Sequence, residues 1–129
     1  MRFACYNVEW FDRLFNDDGE LLRDQNWSGR RDIKRADQAA ALGHVFNTID
    51  ADAIMFIEAP DSHSGRSSSA ALKNLARRYQ LRQSEAVTGF ANETQQEITL
   101  MYDPSQMTAE HDPRGAANAG EPGAPRFDT

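Results

Sequence analysis

An α/β fold built on a strand–helix–strand unit is what this sequence predicts, and three stretches predict it. Residues 2–11, R-F-A-C-Y-N-V-E-W-F, form a short run of β-formers that breaks off after the polar Asn7 and the acidic Glu9. Residues 32–49 repeat apolar side chains at helical spacing: Ile33, Ala36, Ala40, Leu42, Val45, Phe46 and Ile49. Residues 53–57, A-I-M-F-I, are a short apolar run between polar neighbours, the pattern of a buried strand. Such a unit places its two strands parallel, and as neighbours they bring their carboxyl ends side by side.

Along the first strand Phe3, Cys5 and Asn7 share one face, and Ala4, Tyr6 and Val8 the other. A sheet buried on both faces predicts a buried Cys5 thiol, suited to a reducing compartment. Asn7 then sits near the carboxyl end of the strand, where open α/β sheets keep their ligands. Asn is depleted in strands and its amide needs several partners, so function is a reason to keep it there. Glu58 ends the second strand and Pro60 stops it. Asn7, Glu9 and Glu58 are therefore expected on one rim of one sheet.

Between these strands, Trp10, Phe11, Leu14 and Phe15 are spaced for about one helical turn, closed by N-D-D-G at 16–19. Residues 16–31 read as a polar loop holding Trp27. Asp17, Asp18 and Glu20 lack the full calcium-loop pattern, so a solvated turn is expected. Asp32 suits the positive end of the long helix, and Gly43 weakens its middle. His44 on that helix reads as a surface or packed residue. Arg30, Arg31, Lys34 and Arg35 read as a solvated basic face. The Ser/Gly-rich stretch 62–69, which includes His63, can cap a second helix over 69–79. Strands are expected over 82–88 and 97–102, joined as an antiparallel hairpin through 89–96. The ordered core is thus expected over 1–102, and the Pro-, Gly- and Ala-rich end, 103–129, reads as a loop or tail that is cut rather than finished.

Length allows one domain with a single core. The net charge is −6, and 12 of the 14 basic residues are Arg. An acidic chain is a poor non-specific glove for a polyanion, so positive charge against a phosphate ester would have to come from a metal. No apolar run approaches the ~18 residues of a membrane span, and no signal-peptide pattern opens the chain, which points to a cytoplasmic protein. P-loop, nucleophile-elbow and zinc spacings are all missing from the sequence.

The segments Y-N-V-E-W-F and A-D-A-I-M-F-I-E, with the later Q-E-I-T-L-M-Y-D-P, resemble in order and spacing the opening of the endonuclease/exonuclease/phosphatase superfamily. The resemblance runs to about Tyr102. It implies the N-terminal half of a DNase I-like two-sheet α/β sandwich, so that residues 1–129 would be one partial domain. It also implies a metal-dependent phosphoesterase, with Glu58 as the main carboxylate for magnesium or manganese. Glu9 would assist the metal or its waters, and Asn7 would belong to the network around the phosphate. The substrate it implies would be a phosphate ester, with nucleic acid, inositol phosphate and lipid head group undecided. This sequence departs from the family in having no Asp-x-Asn after the central strands and no late Asp-His pair. His111-Asp112 has the reverse order. An incomplete hydrolase, inactive alone, is one expectation. The other is a non-catalytic α/β module binding a partner or a small acidic ligand, and an uncovered sheet could then serve oligomerisation.

Overall fold

Alternation in Phe3–Asn7 (β1) decides how the sheet faces. In the computed structural model, which describes residues 1–9, 11–62, 67–89 and 97–112, β1 is followed by a 3-10 turn at Phe11–Leu14 and the helix Arg35–Ile49 (α1). Then come Ala53–Ala59 (β2), Ser68–Tyr79 (α2), Glu85–Thr88 (β3) and Glu97–Tyr102 (β4). The result is a small α/β domain with one four-stranded mixed sheet in the order β1-β2-β4-β3. β1 and β2 run parallel, with Phe3 opposite Ala53 and Asn7 opposite Ile57, while β4 is antiparallel to both of its neighbours.

One face of the sheet carries both helices. Ile54 and Phe56 of β2 and Met101 of β4 are buried there against Ala39, Leu42 and Phe46 of α1 and Leu72 and Leu75 of α2. Phe46 meets Tyr6 edge-on at 5.3 Å and Phe56 at 4.9 Å between ring centroids, and Phe11 stacks on Phe56. Thr99, fully buried on this face, shares a hydrogen bond with Ser68 at 2.9 Å.

The other face is open, which corrects the expected buried thiol: Cys5 is exposed. Its file includes Phe3, 62% exposed, Met55 of β2 at 43% and Ile98 of β4 at 51%. The physical reason is that both helices pack on the file of Ala4, Tyr6 and Val8, and nothing among the described residues covers the file of Phe3, Cys5 and Asn7.

Several element ends differ from expectation for identifiable reasons. The long helix begins at Arg35, not Asp32, because residues 28–33 form a turn in which the Ser28 N–H bonds to the Ile33 carbonyl at 3.0 Å. The 16–19 turn forms as expected, the Asn16 side-chain oxygen accepting from the N–H of Asp18 and Glu20. Ser67 caps α2. The third strand starts only at Glu85, because Arg82 and Gln83 are spent elsewhere: Gln83 Nε2 donates to the Ala51 carbonyl. Beyond Tyr102 the chain turns at 104–106. The expected tail over 113–129, the hairpin tip at 90–96, Trp10 and His63 lie outside the described residues. No helix among those described is long and apolar enough to cross a membrane.

Gly43 has a packing role. A Cβ there would lie 2.5 Å from Tyr79 Cγ, so the missing side chain is what lets α2 approach α1. Alanine normally improves a helix by up to ~1 kcal/mol, but overpacking costs about 1–3 kcal/mol. Gly43→Ala should therefore lower stability in urea or thermal unfolding, and Tyr79→Ala should reverse the sign of that change; a stabilised single variant would show that the contact is loose.

At the end of the sheet opposite Asn7, Arg82 ties three loops together. It donates to Asp50 Oδ1 at 2.7 Å, Asp52 Oδ1 at 3.0 Å and Asp103 Oδ2 at 3.0 Å. The Arg2 backbone N–H and then Arg82 hold the Asp52 carboxyl below its usual range; Ser105 and then Arg82 do the same for Asp103. Carboxyls with lowered pKa stabilise the fold above the ordinary value near ~4 and lose that contribution as pH falls through the lower folded value. Arg82→Gln should thus be less stable than the parent at pH 7, with the gap closing below about pH 4. A gap of constant size down to pH 2–3, read by thermal unfolding, would remove these carboxylates from the explanation.

Candidate functional site

Asn7 is the last residue of β1, and the next N–H, that of Val8, bonds to the Ile57 carbonyl at 3.0 Å. The strand pair thus stays in register up to the rim. Strict alternation would send Glu58 to the helix side with Ile54 and Phe56, away from Asn7. Instead the register shifts between Phe56 and Ala59, and Glu58 takes φ = 61° inside the strand. That bulge turns the carboxylate to its neighbour: Asn7 Nδ2 donates to Glu58 Oε1 at 3.1 Å. A non-glycine residue held in the left-handed region costs of order 1–3 kcal/mol, and such residues cluster where chemistry needs a fixed side chain.

Two of the three expected residues are therefore in contact. Glu9 lies two residues beyond β1 on the same rim, more than half exposed, with Arg30 Nη1 at 3.8 Å. Both Asn7 and Glu9 line a recess between β1 and α1. Among the described residues no three His, Cys, Asp or Glu side chains converge. A hard cation here would take Glu58 and complete its shell with water and substrate oxygens, as magnesium ordinarily does.

The basic residues at 30–35 are not one solvated face. Lys34 lies over the Trp27 ring at 3.3 Å, and Arg35 Nη1 bonds to Asp24 Oδ2 at 3.1 Å. Arg30 and Arg31, together with Arg13 from the 3-10 turn, line a cleft of about 400 Å3 beside Glu9. Sequence reasoning missed this cleft, because Arg13 is remote from Arg30 and Arg31 in the chain; the 30–35 cluster was its only trace. It also missed Gln38, buried on α1 with Oε1 lacking a hydrogen-bond partner among the described residues. His44 is exposed, as is His111, which lies with Asp112 along a groove on the open sheet face.

Compared with protein-family models, with curated proteins and with solved structures, the chain finds no match in any of the three.

Proposed function

We propose that the rim formed by Asn7, Glu9 and Glu58 belongs to a metal-dependent phosphoesterase of the endonuclease/exonuclease/phosphatase kind. The observation that carries this reading is the Asn7–Glu58 hydrogen bond, made by a glutamate in a left-handed conformation at the carboxyl end of a parallel strand pair. Glu58 would hold magnesium or manganese, which when bound polarises a phosphoryl oxygen and steadies the leaving group. Asn7 has two amide N–H donors; one fixes Glu58, and the other is left for a phosphate oxygen. That amide orients both the carboxylate and the ester. Glu9, beside Arg30, would assist the ion through its waters. In the family that the sequence resembles an Asp and a His activate the attacking water, and no such pair is assigned in this chain.

A second reading is favoured by the open apolar face of Phe3, Met55 and Ile98: a non-catalytic module that buries this face against a second chain.

The two readings part in one assay. In the protein produced at the full length its gene encodes, hydrolysis of bis(4-nitrophenyl) phosphate should require magnesium or manganese. It should fall by roughly 100-fold or more in Glu58→Gln with circular dichroism unchanged. Undiminished hydrolysis in Glu58→Gln overturns the site. A complete lack of metal-dependent hydrolysis, with a mass that grows with concentration, favours the binding module.

A further inference from the structure

Strand register arranges the uncovered face of the sheet. Cys5 of β1 lies opposite Met55 of β2, Met55 opposite Leu100 of β4, and Leu100 opposite Val87 of β3. Directly opposed residues share a face, so these four make one row across all four strands, ~14 Å long at the usual strand spacing. Cys5 and Met55 are exposed, and Leu100 and Val87 are half-buried. Phe3 and Ile98, each two residues along its strand from the row, add two exposed apolar side chains to the same face. Single exposed apolar residues are ordinary, whereas a contiguous set of them marks an interaction surface.

Part of this face forms a groove of about 440 Å3. Met55, Val87, Ile98 and Leu100 supply its apolar surface, and the segment after β4 borders it with Glu110 and Asp112. No Lys or Arg is among the described residues that line it. Glu110 is exposed and in no ion pair among the described residues. The whole chain carries a net charge of −6, so the field around this border is negative. Apolar surface selects what enters the groove, and the acidic border selects the charge that accompanies it.

A second copy docked face to face about a two-fold axis would present this patch to itself, bringing two acidic borders together between two acidic chains. Like charges set close across an interface disfavour that pairing. Nucleic acid and anionic lipid surfaces meet the same repulsion. We infer that the open face receives a basic segment of a partner protein, whose apolar side chains fill the groove while its Arg or Lys side chains meet Glu110 and Asp112. An extended segment can do both, because its alternate side chains point to opposite sides. The inference rests on the binding-module reading for the burial of this face by another chain, and adds what that chain presents.

The protein at the full length its gene encodes can be titrated, by anisotropy, into a fluorescein-labelled peptide of alternating leucine and arginine. Two peptides serve as controls, one with serine in place of leucine and one with glutamate in place of arginine. The leucine–arginine peptide should bind about tenfold tighter than either, the scale of one buried apolar side chain. Ile98→Thr with Met55→Thr should bring it down to the level of the serine peptide. Should that pair fail to fold, Ile98→Thr alone should weaken it about threefold. Glu110→Lys should cut its advantage over the glutamate peptide about threefold, the scale of an exposed ion pair. Equal binding of the three peptides, no binding, or indifference to the threonine changes or to Glu110→Lys overturns the inference. A mass that grows with concentration and falls in Ile98→Thr, without peptide binding, assigns the face to a second copy; it overturns the basic partner and leaves the binding-module reading standing. A monomer that binds no peptide overturns both.

Discussion

A slip of one residue between β1 and β2 would turn Asn7 into the helix layer and Tyr6 out to the open face. The fold prevents that slip with aromatic packing. Tyr6 and Phe56 both lie against Phe46, and each such ring pair contributes about 0.5–1.5 kcal/mol beyond its burial. At the far end of the same strand pair, the Arg2 N–H bonds to Asp52 and Arg82 joins Asp52 to Asp50 and Asp103. Packed at one side and tied at one end, the register leaves Asn7 opposite Ile57 and Glu58 one step beyond. The rim and everything proposed for it follow from this.

Glu58 makes the rim more than a strand end. A hydrogen bond such as that from Asn7 is worth about 0.5–1.5 kcal/mol net. The left-handed backbone that permits it costs a similar amount or more, of order 1–3 kcal/mol. Local stability alone thus does not select this arrangement. A carboxylate fixed in direction, with one oxygen held and the other free of protein partners among the described residues, is suited to a cation.

The strand–helix–strand unit was legible because its signals are periodic and strong: Ile33 to Ile49 at helical spacing, then an apolar A-I-M-F-I run. Asn7 and Glu58 were legible as polar residues ending apolar strands. Cys5 was misplaced because alternation separates two faces without saying which one the helices cover. The bulge at Glu58 was invisible because no Gly or Asn marks its positive φ. The late start of β3 was hidden in side-chain ties from Arg82 and Gln83 to residues some thirty positions earlier. Arg13 joins Arg30 and Arg31 only through the folded loop, so the cleft had no contiguous motif.

The site stands most directly on whether Glu58 holds a cation, and thermal unfolding with increasing magnesium measures that without any substrate. A ligand at 100 times its dissociation constant stabilises a fold by about 2.7 kcal/mol. The parent protein should gain stability with magnesium along such a curve, and Glu58→Gln should lose the gain while unfolding cooperatively. Equal magnesium stabilisation of both proteins, or none in either, would contradict a cation site at Glu58.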